Sequence, residues 1–427
     1  VKQLERLFQL NAHETTFKRE MLAGATSFFT VAYIVIINAM ILADSGIPFE
    51  AAVLATVLTS FLGCWIMGFW ANAPIVLVPG MGVNAFFTYT VVHDLGLTWQ
   101  EALGVIFLSG LIATLTAATK LGDWLAALIP VSLKKGTTVG IGLLITFMGL
   151  QKGGLIVTNE QTFVAIGDLA NPKAWLTLVG LALTAILLVR QVLGSFLIGL
   201  LSVTVLGILT GQSPSVVNKA GSNLPLKVYA DVFGHLSFSG ILRPAFWTAT
   251  FILAMVLVFE NLGVLQGLLQ DQRKFRPALL ANSITAMLSG LLGTSPTVCS
   301  LESAAGIATG GKTGLTAITS GLFFLTSLFF LPLLKWIPDS AVAAVLIIVG
   351  GLIIQEVQSI PFSDYTEGIP AFITFAFIPF TYSIPDGIAF GFIAYAVLKI
   401  AARKAREVPA PFFILALLFL VQLSLHS

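Results

Sequence analysis

Pro74-Ile-Val-Leu-Val-Pro79-Gly80-Met-Gly82-Val-Asn84-Ala-Phe86-Phe87 and Gly293-Thr-Ser-Pro296-Thr-Val-Cys-Ser-Leu-Glu302-Ser303-Ala-Ala-Gly306 decide the reading of this chain. Each is apolar enough for a membrane interior, and each is broken by proline and glycine. Neither leaves room for a helix across a bilayer, which takes about 20 residues. An extended stretch feeding a half-helix fits both. Such backbone is tolerated at membrane depth only where it packs in protein or lines a cavity. A half-helix start also points free N–H groups and a positive dipole end at the midplane. Interrupted segments at matching places in two halves are the sequence pointer to a transporter's binding site.

The rest of the chain agrees with a membrane setting. Of 427 residues, 57% are hydrophobic and 10% charged, and mean hydropathy is +0.96. Soluble proteins carry about 25% charge, so the class is an all-α polytopic membrane protein. A net charge of +2 gives no reason to expect a nucleic-acid partner, and two cysteines in apolar stretches suggest neither disulfides nor a metal site. Apolar runs fall at 21–42, 50–71, 101–119, 136–151, 172–189, 193–211, 245–268, 276–293, 313–334, 339–356 and 386–402. With the broken runs at 74–92, 295–310 and 369–382 they predict fourteen spans. The polar start, with Leu4, Leu7 and Phe8 on one side, reads as a surface helix or a frayed tail, with no cleavable leader; the run at 409–425 either crosses once more or lies against the bundle. With the N-terminus in the cytoplasm, sixteen of the 22 Lys and Arg fall inside and six outside, at 152, 173, 219, 227, 243 and 335. That bias predicts a multi-pass protein of the cell membrane with a cytoplasmic N-terminus.

The chain also repeats itself. Leu54…Gly63 echoes Leu280…Gly290, Ser109-Gly110-Leu111 echoes Ser320-Gly321-Leu322, and Ile129-Pro130…Gly142 echoes Ile337-Pro338…Gly350. The offset shrinks from 227 (Gly63 to Gly290) through 211 to 208, as shorter loops in the second half would produce. Seven spans is an odd number, so the second copy enters from the opposite side. This predicts a 7+7 inverted repeat joined by the hydrophilic, extracellular segment 212–244.

Two acids stand apart from those in loops. Glu260 lies deep in an apolar run, and Glu302 follows the second break. A lone charge at the bilayer centre costs about 3 kcal/mol on insertion scales. The sequence offers no basic residue inside a span to pair with either. Each carboxyl must then take up a proton or receive hydrogen bonds from a ligand, and a group able to do both can couple the two. Without a basic cluster, the ligand expected is a small, uncharged, planar or polar solute, with H⁺ as the driving ion, Na⁺ as the other option and no cofactor. Phe28 and Phe29 in the first span, and Phe86 and Phe87 in the third, are candidate stacking surfaces. An intramembrane enzyme is the rival from another class. It finds no support: His13, His93, His235 and His426 all lie at loops or ends, and there is no His-Glu-x-x-His.

Four stretches resemble the azaguanine-resistance type of purine permease, within the nucleobase:cation symporter group. They are Phe17-Lys-Arg-Glu-Met-Leu-Ala-Gly24…Ala32-Tyr33-Ile…Asn38…Ile41-Leu-Ala-Asp44-Ser-Gly46; Pro79-Gly-Met-Gly-Val-Asn84-Ala; Gly293-Thr-Ser-Pro…Glu302-Ser-Ala-Ala-Gly306-Ile…Gly310-Gly-Lys-Thr-Gly314-Leu; and Pro385-Asp-Gly-Ile-Ala-Phe-Gly-Phe-Ile. The resemblance implies proton-driven uptake of hypoxanthine, guanine or adenine. It implies a core of 1–119 and 245–334, a gate of 120–211 and 335–402, and an apolar tail at 403–427. The substrate-binding residues implied are Gly82, Asn84, Phe86, Phe28, Glu260, Glu302 and Ser303, with Glu260 and Glu302 coupling the proton. A homodimer is compatible with that fold. Two positions depart from the family pattern. Glu260 stands where Asp is usual, as in the uracil and xanthine relatives, and Leu257 stands where a second acid is usual. The alternatives are therefore a uracil/xanthine permease, or an anion transporter of the related sulfate/bicarbonate fold.

Overall fold

The structure, a computed structural model, describes residues 2–119, 130–159, 161–211, 226–269, 271–331 and 336–426. Helix α1 (Lys2–Leu7) precedes a first span broken into α2 (Phe17–Val31) and α3 (Ile34–Asp44). At the break, Val35 and Ile36 donate three residues back, to Ala32 and Tyr33, instead of four. Helix α4 (Phe49–Ile66) ends in a π-turn at Met67–Ala71. The third segment is strand β1 (Leu77–Pro79) followed by α5 (Met81–Ala85), which widens into a π-helical stretch, Phe86–Asp94. Helices α6 (Trp99–Ala118), α7 (Val131–Lys152), α8 (Pro172–Val189) and α9 (Ser195–Leu209) complete the first half. Between α7 and α8 lies a hairpin, β2 (Ile156–Asn159) with β3 (Phe163–Ile166), that the apolar pattern does not announce. The second half holds α10 (Leu226–Ala230), α11 (Pro244–Leu268), α12 (Phe275–Leu292), strand β4 (Thr297–Cys299), α13 (Ser303–Ala308), α14 (Gly314–Ser327), α15 (Asp339–Ile353), α16 (Tyr365–Thr381) and α17 (Ile384–Ala401). Helix α18 (Ala410–His426) follows. Among the described residues eight helices are long and apolar enough to cross a membrane.

Local chemistry sets several boundaries. Thr98 and Glu101 form a reciprocal capping box at the start of α6. Asn171 caps α8 just before Pro172, whose missing N–H is harmless in the first turn. Pro130 and Pro338 stand at equivalent places before α7 and α15, where each pre-sets the chain direction.

The pseudo-twofold relation is visible residue by residue. Strands β1 and β4 pair antiparallel with Val78 opposite Val298, an offset of 220 residues. The flanking hydrogen bonds are mates at the same offset: Gly80 N–H donates to Pro296 O at 3.2 Å, and Ser300 N–H donates to Val76 O at 3.0 Å. Gly142 on α7 and Gly350 on α15 face each other, since a Cβ on either would lie within 2.9 Å of the other's carbonyl oxygen. Gly110 on α6 meets Met287 on α12, and Gly321 on α14 meets Phe61 and Cys64 on α4. These are the glycines of the sequence echoes, so the repeats are conserved in contact and not only in spelling. The Ile129 member of the third echo lies outside the described residues, as do 212–225 of the joint.

Two groups of helices pack internally. Helices α2–α6 pack with α11–α14, and α7–α9 pack with α15–α17. At the end of the bundle reached by α3, the groups are tied by polar contacts. Asp44 accepts from Lys152 Nζ at 2.6 Å and from Tyr89 O–H at 2.5 Å. Tyr89 stands edge-on to Tyr382 of the α16–α17 link, whose hydroxyl donates to Gln151 at 3.3 Å.

Both chain ends lie on the bundle. Phe8 and Leu10 are buried against Leu315 and Ile318, and Asn72 donates to Phe8 O at 3.2 Å, so the segment that follows α1 is packed on the bundle. Leu7, expected on the apolar side with Phe8, is exposed. Helix α18 lies along α17, with Phe412 stacked on Phe392 at 4.9 Å. Its other face, at Ile414, Leu417 and Leu420, is exposed.

Glu20 ties the first quoted stretch to the third. Fully buried, its carboxylate accepts from Lys312 N–H at 3.0 Å, Thr313 N–H at 3.3 Å and Thr316 O–H at 2.5 Å, at the start of α14. Negative charge there is favoured by the helix dipole and by these donors. Glu20→Gln brings an amide donor against them and is expected to cost about 1–3 kcal/mol. It would be read as a lower thermal midpoint in detergent. Gly110→Ala drives a Cβ to 2.4 Å from the Met287 backbone, whereas Gly321→Ala meets nothing nearer than 3.0 Å. The first is expected to cost about 1–3 kcal/mol and to lower the thermal midpoint more than the second.

Candidate functional site

The site is built around the β1–β4 ribbon. In each half a three-residue strand ends and a short helix begins, so the ribbon has one half-helix start at each end. The two ends carry different side chains.

At the α5 end lies a closed amide and hydroxyl network. Asn84 Nδ2 donates to Asn38 Oδ1 at 2.9 Å, and Ser295 O–H donates to the same oxygen at 2.7 Å. Asn38 Nδ2 in turn donates to Thr56 at 2.8 Å and Thr294 at 2.9 Å. Asn38 and Asn84 are fully buried, and Asn84 Oδ1 has no partner among the described residues. Asn84 therefore points into this network and makes no hydrogen bond to either Glu260 or Glu302. Gly82 makes room for α7, since a Cβ there would lie 2.8 Å from Ile141 Cγ2. Phe86 is buried in the core, with no ring partner among the described residues.

The α13 end carries the acids. Glu302 stands just before α13 and is partly exposed. Its Oε1 accepts from Tyr33 O–H at 2.6 Å and its Oε2 from Ser300 O–H at 2.6 Å. Ser303, fully buried, accepts from Val76 N–H at 2.9 Å and so braces the strand crossing. Glu260, also partly exposed, lies on α11. Its neighbour Asn261 accepts from Cys299 N–H at 2.7 Å and donates to Leu257 O at 2.5 Å. Glu260 thus sits one residue from the anchor of the β4 end, and Glu302 three residues beyond that end. The structure brings the two acids to one end of the ribbon and Asn84 to the other.

Phe28 does not join them. Its ring packs in a cluster with Phe29, Phe323 and Phe324 at 5.1–5.5 Å, between α2 and α14. Phe28 belongs to the helix packing and not to the ribbon. Lys134 also departs from expectation. It lies on the first turn of α7, where the sequence pattern had left it in a loop, and its Nζ sits 4.1 Å from the Phe259 ring centroid. A cation therefore stands over the residue next to Glu260, held by the ring face.

Tyr33, Asn38, Asn261 and Ser300 carry much of this geometry without having been singled out. Tyr33 and Asn38 are polar side chains in an otherwise apolar span, and Asn261 follows an intramembrane acid. Those were the available signals. A small cavity of about 110 Å³ lies between α6, α11 and α12, lined by Thr116, Val258, Leu262 and Arg276. It occupies the α11 face of Val258 and Leu262, whereas Glu260 projects from the opposite face. The cavity is therefore separate from the ribbon site. No group of three or more metal-ligating side chains occurs among the described residues.

Comparison with known proteins places this geometry. The chain is 44% identical over 384 residues to nucleobase transporter PlAzg2 of Paenibacillus larvae, covering 89% of this chain and 77% of that one. It is 37% identical to adenine permease AdeP of Escherichia coli, over 98% of this chain and 96% of that one. It is 36% identical to guanine/hypoxanthine permease PbuO of Bacillus subtilis, over 98% and 99%. Among solved structures it resembles the transmembrane domain of the cyanobacterial bicarbonate transporter BicA, with TM-score 0.65 and 16% identity over 88% and 97% of the two chains. It also resembles SLC26A9, with TM-score 0.60 and 14% identity over 90% and 65%. These two show the fold, a helical transporter of seven-plus-seven inverted repeats. Residues 18–390 match the Permease family Xan_ur_permease, and the chain belongs to that family of integral membrane transporters.

Proposed function

We propose that this protein takes up purine bases across the cell membrane, driven by protons. The observation that carries the reading is Glu302. The residue is partly exposed at a half-helix start, and its carboxylate is oriented by two hydroxyl donors. It has acceptor capacity left, because an ionised carboxyl offers about four lone-pair sites. Hypoxanthine, guanine and adenine all present N–H donors and carry no charge. Relatives named for adenine and for guanine/hypoxanthine, 35–37% identical over nearly the whole chain, support this ligand class.

In this reading Glu302 accepts from the base. Glu260 accepts a second donor or carries the coupling proton. Asn84 orders the α5 end through its unpartnered Oδ1, by way of water. Protonation removes the charge that would oppose carrying the site across the bilayer. The α2–α6/α11–α14 group is the core and the α7–α9/α15–α17 group the gate, and they shift against each other around the ribbon. The Lys and Arg bias supports a cytoplasmic N-terminus. Two acids at the site disfavour the anion alternative, whose substrates would meet like charge.

Uptake of radiolabelled hypoxanthine, guanine, adenine, uracil and sulfate into proteoliposomes tests the reading. The purines are expected to accumulate when the interior is alkaline, in buffer free of Na⁺, and to stop accumulating on adding a protonophore. Glu302→Gln and Glu260→Gln are each expected to lower purine uptake by about tenfold or more, equivalent to about 1.4 kcal/mol. Wild-type rates with wild-type pH dependence in both would refute the assigned roles. The relative shift of the two groups has its own test at the Asp44–Lys152 tie. With cysteine at both positions, a reducible bis-methanethiosulfonate linker is expected to arrest uptake, and reductant to restore it. Cys64 and Cys299 are buried and should not react. Full uptake by linked protein would exclude movement between the groups at that end.

A further inference from the structure

Three side chains from three separate elements form a line at the α13 end of the ribbon. Tyr33, at the α2–α3 break, is 2% exposed. Its hydroxyl holds Glu302 Oε1 at 2.6 Å. Its ring lies against Phe196, in the first turn of α9, with centroids 4.8 Å apart and planes tilted by 43°. The start of α9 is itself pressed onto α2, since a Cβ on Gly194 would lie 3.3 Å from Phe29 O. Glu302 and Tyr33 belong to one packed group and Phe196 to the other.

Taking Glu302 as the ligand acceptor proposed above, we infer that Tyr33 is a positioning residue that passes the occupancy of Glu302 to the gate helix α9. The two hydroxyls on Glu302 differ in kind. Ser300 lies two residues before the acid on the same turn and travels with it. Tyr33 comes from another element of the same group, and its ring in turn meets Phe196 of the group that must part from it. With no ligand, the phenol aims one carboxylate oxygen and ties the α13 end to α9 through its ring. A base whose N–H takes Oε1 competes with the phenol for that oxygen. The displaced ring then gives up its seat on Phe196. The break supplies freedom for this, because Val35 and Ile36 bond three residues back at Ala32 and Tyr33, and the four-residue ladder resumes only with Ile37 N–H on Tyr33 O. Filling the site would thus remove one contact that resists movement of the two groups against each other.

The test separates binding from turnover, in purified full-length protein with hypoxanthine as the probe. Tyr33→Phe keeps the ring and removes the competing donor. Binding is expected to stay level or tighten by up to about tenfold, while uptake falls by about tenfold. Phe196→Ala cuts the link on the other side. Its binding is expected to match wild type, with a similar fall in uptake. The double variant is expected to fall no further than either single one, because residues acting as one unit are not additive. Wild-type uptake by Tyr33→Phe would overturn the inference. So would losses that multiply in the double variant, or a loss of binding in Tyr33→Phe parallel to its loss of uptake. If Tyr33→Phe fails to fold, Phe196→Ala alone decides, since unchanged uptake there removes the link. The underlying site reading fails by a different signature, namely wild-type hypoxanthine binding by Glu302→Gln.

Discussion

Everything in this structure depends on how two stretches of non-helical backbone satisfy their hydrogen bonds in the middle of a membrane protein. An unpaired peptide group in hydrocarbon costs several kcal/mol. A chain that interrupts a span must therefore find a partner for what it interrupts. Here the partner is the other interruption: β1 pairs with β4, and the flanking N–H groups of Gly80 and Ser300 reach across to Pro296 and Val76. Each half thus supplies what the other lacks. The two half-helix starts are held by hydrogen bonds within the protein, and the cost of breaking a span is offset by the symmetry.

The same constraint separates the buried carboxylates by role. Glu20 is fully buried and receives two backbone N–H groups and a hydroxyl, so its charge is spent on the start of α14. Glu302 receives two hydroxyls and keeps some exposure. Glu260 has its neighbour Asn261 committed to the strand, while the residue itself is partly exposed and no hydrogen bond to its carboxyl is among those of the described residues. Burial with complete satisfaction marks a structural charge. Partial exposure with capacity left over marks one that can take a ligand or a proton.

The two broken segments and the echoing glycines were legible because they are local features with direct physical meaning. A Pro-Gly break forbids a full helix, and a glycine permits two helices to touch. Facing directions were not legible. Helices that are apolar all round carry no stripe to show which side meets protein, so Phe28 was assigned to the ribbon although it packs on Phe323 and Phe324. Asn84 and Glu302 both stand near half-helix starts in the sequence. Only the strand register shows that antiparallel pairing sends those starts to opposite ends. Tyr33 reads in sequence as one aromatic in a long apolar span, and its partner lies 269 positions away. Lys134 was left outside because the apolar run begins at 136 while the helix begins at 131. Hydropathy marks lipid depth and not the first turn.

A symmetric scaffold does not require a symmetric site, and this one shows why both are useful. At the ribbon's offset of 220, Glu302 corresponds to Gly82 and Ser303 to Val83. One half presents an acid. The other presents a residue without a side chain, against which Ile141 of α7 packs. Two acids related by the twofold would put one charge at each end of the ribbon and give two competing sites. A glycine at each place would bind nothing. With one of each, a single recognising surface lies beside one surface that lets the neighbouring group approach closely. The scaffold then has two related packings available to it, while the chemistry that selects the ligand is written once.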